Sequence, residues 1–257
     1  MGVHAAAVVE DGASLGDGVA VGPFAVIGSD VVLGEGVEIG AHAVVMGRTR
    51  IGARTRVFPH ACIGGEAQVI GPIEATAELE IGCDNVLREH VTIHAGSARG
   101  SGLTRVGDRN YLMNGTHVAH DCVVGSDCVL ASFCGLGGHV EIADHAVLGA
   151  YTGVHQHCRI GESAMTAAGS KFTKDAAPFV TVAGDRARLV GLNLVGLKRR
   201  GFSSEELALL KRAYRTIFSS GLRVEDAARA LEAEGVDTPH VRTLVEFVRT
   251  SERGVIR

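Results

Sequence analysis

The sequence predicts a mainly β protein: a parallel β-helix of hexapeptide repeats closed by a small α-helical C-terminal domain. Three observations lead there: a six-residue beat of branched aliphatics, a shortage of large rings, and a change of period late in the chain. Counted in sixes from Val3, the beat runs Val9, Leu15, Val21, Ile27, Leu33, Ile39, Val45, Ile51, Val57 and Ile63. It returns at Ile81, Leu87 and Ile93, shifts frame, and continues in sixes from Val106 to Ile160. Glycine often follows the beat (Gly16, Gly22, Gly28, Gly34), and the residue four after it is small or β-branched, as at Ala25, Val31 and Thr55. Neither a helix nor a plain strand repeats in sixes over this length. A β-helix does.

Each unit is a short strand and a tight bend. The strand turns one aliphatic and one small residue inward, and the glycine relieves the backbone at the bend. Three units close a triangular coil, and coils stack about 4.8 Å apart, so the beats make a prism roughly 38 Å long. No coil buries its own edges, so stability is a nearest-neighbour sum. The beat is therefore core and carries no chemistry.

Composition fits a narrow aliphatic interior: 35 glycines, 4% aromatics and no Trp. No segment reads as a signal peptide or a bilayer span. Cys122, Cys128, Cys134 and Cys158 all fall in the small inward slot, four residues after the beat. They read as core thiols of a protein in the reducing cytoplasm, not as a disulfide frame or a zinc set. A net charge of −4 conceals a basic zone from Asp185 to Arg223, with nine basic and three acidic residues, a local balance of +6 against about −10 elsewhere. Such a zone suits an anionic ligand or partner. Nucleic acid is a poor candidate, because stacking aromatics and a recognised motif are both lacking.

The β-helical domain is placed at residues 1–185 and the α-helical domain at 186–257. Insertions near 65–79 and 94–105 interrupt the repeat and must bulge outward, where loops build binding sites. Beyond Pro178 the beat stops. Ser203 and Glu206 have the spacing of a capping box, and Leu207, Leu210, Tyr214, Ile217 and Phe218 follow on one helical face until Ser220-Gly221. Val224–Glu234 and His240–Ser251 are two further amphipathic helices.

The chemistry gathers late in the repeat. His117, His120, Asp121, His139, His155, Gln156 and His157 gather there: Asp121, His139 and His157 form one column on consecutive coils, with His120 and Gln156 one residue behind. Polar residues at solvent-facing bends would explain any one of these histidines, but not the grouping. A zinc site is disfavoured, since ring nitrogens two or three coils apart cannot all reach about 2.1 Å from one metal unless a neighbouring subunit completes the set. General-base catalysis fits a histidine beside a carboxylate that fixes its tautomer and raises its basicity. Cys122 points inward by register, so no thiol nucleophile stands beside His120 and direct transfer is expected. A flat prism face has no cleft, so the opposite wall must come from a loop or another copy, most simply in a trimer of parallel prisms.

Four stretches carry a resemblance: Gly102-Leu103-Thr104-Arg105-Val106-Gly107, His117-Val118-Ala119-His120-Asp121-Cys122, Gly153-Val154-His155-Gln156, and residues 191–202 (Gly-Leu-Asn-Leu-Val-Gly-Leu-Lys-Arg-Arg-Gly-Phe). Together, and down to the ending Arg253-Gly254-Val255-Ile256-Arg257, the chain resembles the UDP-N-acetylglucosamine O-acyltransferases that open lipid A synthesis. The resemblance implies a left-handed coil, a cytoplasmic homotrimer, no cofactor, and transfer of a 3-hydroxyacyl chain from acyl carrier protein to the sugar nucleotide's 3-hydroxyl. It implies His120 as general base, Asp121 as its supporting carboxylate and the Gly138 N–H as oxyanion donor. His117, His139, His155 and Gln156 match pocket residues, and Asn193, Arg199 and Arg200 the nucleotide-contacting segment. Met165 and Ala168 fall where the family measures chain length. Lys211, Arg212 and Arg215 are weaker candidates for the acidic carrier protein. The family's related N-acyltransferase carries an extra N-terminal domain, whereas the beat here begins at Val3. Two departures stand out: Val69-Ile70-Gly71-Pro72 replaces a polar sugar-contacting stretch, and Val195 replaces an acid. A 3-amino UDP-sugar, giving an amide, is therefore an alternative acceptor. A trimeric zinc enzyme of the carbonic anhydrase type is the alternative from another class.

Overall fold

The computed structural model describes residues 2–70 and 77–257. Within them the chain winds into a left-handed triangular β-helix of three parallel sheets. Face one stacks nine strands, from Val8–Val9 to Lys171–Phe172; face two stacks eight, from Ser14–Leu15 to Arg159–Ile160. Face three runs from Ala20–Val21 to Val180–Ala183 and ends in the antiparallel strand Arg188–Leu192. The expected repeat is seen directly in the register, with Val118 opposite Leu136 and Leu136 opposite Val154.

Beat residues fill the axis: Ile27, Leu87, Leu112 and Leu148 are fully buried, as are the small-slot residues Ala25, Val31 and Ala43. The slot also admits amides. Asn85 and Asn110 are buried there as a ladder: the Asn85 side-chain amide donates to Gly107 O at 2.8 Å, its oxygen accepts from Asn110 N at 2.9 Å, and Asn110 donates to Gly125 O at 2.9 Å. Each amide thus replaces what water would supply, which is why the slot tolerates it.

The strands near the two insertions are longer than the rest of the repeat: Arg48–Ile51, Cys62–Gly65, Glu78–Ile81 and Leu103–Val106. Val69 and Ile70 lie at the near end of the first insertion, Ile70 wholly exposed; Gly71 and Pro72 lie outside the described residues. The beat also continues further than its aliphatics show. Buried Thr166 and Phe172 take the next two positions, and the boundary at 185/186 falls between the strands of the closing hairpin. Residues 188–192 thus continue the sheet rather than the helical part.

Four helices follow: α1 (Leu194–Arg199), α2 (Ser204–Phe218), α3 (Val224–Ala233) and α4 (Pro239–Arg249). The capping box at Ser203 and Glu206 is formed, with both reciprocal hydrogen bonds. Thr238 caps α4, whose first residue is Pro239. Helix α1 was hidden in the sequence because six residues give too little period to read. The helices pack on the rod's end, with the Arg159 guanidinium 4.5 Å above the Phe247 ring and Phe179 5.6 Å from His240. The tail then returns to the last coil, Ile256 N donating to Asp175 O at 2.8 Å.

Candidate active site

His120 and Asp121 occupy the corner between strands His117–Val118 and Val123–Val124, on the edge joining faces one and two. The corner closes through a left-handed residue, Asp121 at φ +59°, and the position repeats at His139 (+61°) and His157 (+62°). His42, His60, His90 and His145 also take left-handed corners. Histidine is among the residues that tolerate this conformation best, so half of the twelve histidines serve coil geometry first. On the candidate edge the corner register puts His139 and His157 face to face, 4.4 Å apart, and His139 edge-on to His120 at 5.2 Å.

Asp121 is not displayed on the outer edge as its register suggests. Its side chain is 1% exposed, beneath the second insertion. Oδ2 accepts from His120 Nδ1 at 2.7 Å, Ser97 Oγ at 2.6 Å and Ser97 N at 3.1 Å; Oδ1 accepts from Ser101 Oγ and Gly102 N, both at 3.1 Å. The Asp121 N–H donates to Thr104 Oγ1 at 2.8 Å. Burial alone would push this carboxyl up, but the Ser97, His120 and Ser101 donors outweigh it and hold it at about 2. The anion then takes the His120 Nδ1 proton as donor and leaves Nε2 as the base nitrogen. The imidazole side chain is 16% exposed, so that nitrogen is reachable.

The depressed carboxyl has a thermodynamic consequence. A folded value near 2 against about 3.9 unfolded contributes about 2 kcal/mol of stability, present above pH 4 and lost as pH falls through 2. In urea titrations the gap between wild type and Asp121→Asn is expected to shrink by about that amount between pH 6 and pH 2. A gap of constant size would show that the carboxylate is not held this way.

Gly138 lies on the next coil, directly over His120. A Cβ there would sit 2.5 Å from His120 Cε1 and 2.7 Å from Nε2. The glycine is required by ring approach and not by a turn, since its φ is ordinary. Its N–H makes no hydrogen bond among the described residues. His117 hydrogen-bonds Thr92 Oγ1 at 2.8 Å and meets His94 edge-on at 5.3 Å; burial, then the charge of His94, lowers its pKa. Burial likewise lowers His139, against the pull of Asp121. His155 stands one residue before Gln156, its Nδ1 3.5 Å from Arg253 Nη2 in the returning tail. Cys122 is fully buried, donates to Gly137 O at 3.1 Å, and is pushed up to about 12 by burial. It is no nucleophile.

His120, Asp121, Gly138, His139, His155 and Gln156 therefore share one edge, with His117 beside it on face one. The other candidates do not join them within a protomer. Asn193 is buried as the cap of α1, accepting from Gly196 N at 3.0 Å and donating to Ser163 O at 3.0 Å. Arg200 pairs with Glu162 at 2.8 Å and touches Ser163, on the edge between faces two and three, and Arg199 is exposed beside it. Met165 is half-buried on the outer side of face three, and Ala168 exposed at the far end of that strand's bend. Val195 is exposed on α1. Of the weaker candidates, Arg212 is paired with Glu234, whereas Lys211 and Arg215 are exposed on α2. A cavity of about 730 Å³ lies between face two and α4, lined by Glu141, Arg159, Arg242 and Phe247, with no residue of the dyad in its wall.

The sequence reading missed Ser97, Ser101 and Thr104. Hydroxyls between closely spaced glycines in an outward loop were a signal for a polar cradle, but their target was not readable. The ligating atoms of His120, Asp121 and His139, on two adjacent coils, lie within 4.8 Å of one another. Metal would there compete with five donors already on the carboxylate, one of them His120 itself.

Comparison with known proteins shows the family. The chain matches the bacterial transferase hexapeptide (six repeats) family at residues 12–47 and 103–138, and the second domain of UDP-N-acetylglucosamine O-acyltransferase at residues 175–256. It is 52% identical over 251 residues to the acyl-(acyl-carrier-protein)–UDP-N-acetylglucosamine O-acyltransferase of Alkalilimnicola ehrlichii, covering 98% of this chain and 97% of that protein. The enzyme of that name from Janthinobacterium sp. is 47% identical over 259 residues, covering 99% of each. Among solved structures, the UDP-N-acetylglucosamine acyltransferase of Bacteroides fragilis superposes with a TM-score of 0.96 at 38% identity, covering 99% of both chains. With its coil, its helical closure and its full length matched at these identities, the chain belongs to the acyl-(acyl-carrier-protein)–UDP-N-acetylglucosamine O-acyltransferase family.

Proposed function

We propose that the chain moves a 3-hydroxyacyl group from the thioester of acyl carrier protein to the 3-hydroxyl of UDP-N-acetylglucosamine, the first step of lipid A synthesis. It does so in the cytoplasm as a homotrimer whose sites are completed between protomers. The observation that carries the chemistry is the 2.7 Å bond from His120 Nδ1 to a buried, anchored carboxylate. His120 Nε2 takes the proton of the sugar hydroxyl as its oxygen attacks the thioester carbon. The Gly138 N–H receives the developing oxyanion, the largest electrostatic demand of acyl transfer. Collapse breaks the carbon–sulfur bond, and the departing thiolate recovers the proton from His120. No covalent enzyme intermediate and no cofactor are needed.

His117, His139, His155 and Gln156 line the pocket around this edge. Asn193, Arg199 and Arg200, from a neighbouring protomer, hold the nucleotide, where paired guanidiniums suit a diphosphate. Met165 and Ala168 set the floor of the acyl slot. Incubation with 3-hydroxyacyl carrier protein and a panel of UDP-sugars, read by mass spectrometry, tests the proposal. An O-acylated UDP-N-acetylglucosamine supports it, and no acylated sugar nucleotide from any donor removes it.

One observation favours a second acceptor. Val195 presents an exposed apolar side chain on α1 where the resembling enzymes carry an acid, so sugar contacts differ. The same incubation decides whether the 3-amino sugar nucleotide is preferred. Stoichiometric zinc in purified active protein would instead favour the zinc enzyme of the carbonic anhydrase type.

A further inference from the structure

Asp121 is enclosed by a loop shaped around it. Gly96 lets residues 96–102 close on themselves, because a Cβ there would overlap Gly102 and Leu103. Gly100 lets the loop lie flat on the carboxylate, because a Cβ there would overlap the Asp121 carboxyl group. Gly102 turns the chain through φ +73° so that its own N–H faces Oδ1. Ser97 is itself buried, 5% exposed, and gives the carboxylate both its N–H and its hydroxyl, the latter at 2.6 Å. This last is the shortest of the five contacts, and it falls on Oδ2, the oxygen that holds His120.

The Ser97 N–H spans both oxygens, at 3.2 and 3.1 Å, but a loop that only capped a coil would have no need to bring its hydroxyl to the oxygen already bonded to an imidazole. We infer that Ser97, supported by Ser101, is a positioning residue: it shares Oδ2 with His120 and so sets how strongly the carboxylate draws the imidazole proton. This rests on the acyl-transfer reading, which it deepens. The Ser97 hydroxyl and the His120 N–H compete for the same lone pairs. When the hydroxyl is removed, the carboxylate turns its full basicity on the imidazole, which then keeps its extra proton to higher pH. The groups facing Oδ2 are Ser97, His120 and, at 3.8 Å, His139, whose ring also lies against His157. No lysine, arginine or further acid pairs with Asp121 among the described residues.

The test is the pH profile of kcat/KM for Ser97→Ala and Ser97→Thr in the full-length protein. The acid limb of Ser97→Ala is expected to move up by about half a unit to one unit, with KM for the sugar nucleotide unchanged. Ser97→Thr keeps the hydroxyl and restores the limb. Ser101→Ala, which loses only a 3.1 Å contact to Oδ1, moves it less in the same direction and serves if Ser97→Ala folds poorly. The same movement is read without substrate from the imidazole 15N shifts of His120 in 15N-histidine-labelled protein. Limb and shifts unmoved in both alanine variants overturn the inference, as does a limb that Ser97→Thr fails to restore. A wild-type protein that transfers no acyl group defeats the acyl-transfer reading instead, and the 15N titration then decides Ser97 alone.

Discussion

His120→Ala is expected to lower kcat by at least about 10²-fold, the usual contribution of a positioned base, while KM for the sugar nucleotide changes little. The imidazole is the group on this edge that combines a fixed proton on Nδ1 with a reachable Nε2. Its carboxylate is already ionised and out of water, so no reorganisation is required when the sugar hydroxyl arrives. The loss should fall in kcat because the base acts on the proton in flight and contributes little to ground-state binding. Steady-state kinetics with acyl carrier protein as donor reads this directly. Near-wild-type turnover would remove His120 from the chemistry.

Gly138→Ala is expected to cost about 10²-fold or more in kcat for a different reason. The added methyl would stand 2.5 Å from the His120 ring, so either the imidazole rotates away from Asp121 or the coil carrying the oxyanion donor shifts. Both disturb the transfer at its centre. The fold should survive, because the methyl points at a corner and not into the axis. Unchanged melting with collapsed kcat is the expected pair of results, and a fully active Gly138→Ala enzyme would place the oxyanion elsewhere.

The rod was legible because its constraint is periodic. Most inward positions are aliphatic or small, and the period that fits them admits few architectures. The corner column was legible for the same reason, since a fixed coil length carries Asp121 onto His139 and His157. What escaped was aperiodic. Ser97 reaches Asp121 through a loop with no repeat, so no spacing rule connects them. Buried Asn85 and Asn110 look like turn residues until their amides are seen bonding along the axis. Solvent-facing bends account for any single histidine, and His42, His60 and His90 form a stacked column on another edge, where left-handed corners explain them. Arg199 and Arg200 were matched to nucleotide binding by motif, and their motif says nothing of which edge they occupy.

That last point bears on the central claim, that a working site joins two protomers. The dyad sits on the edge between faces one and two, whereas Arg200 sits on the edge between faces two and three. The direct measurement is subunit complementation. His120→Ala chains and Arg199→Ala/Arg200→Ala chains, each nearly inactive alone, are co-expressed, and the mixed trimers are purified and assayed. If each site is built from two protomers, every mixed trimer regains about a third of its sites, one of three. A mixture no more active than its parents would show that each protomer holds a complete site, and would contradict the account.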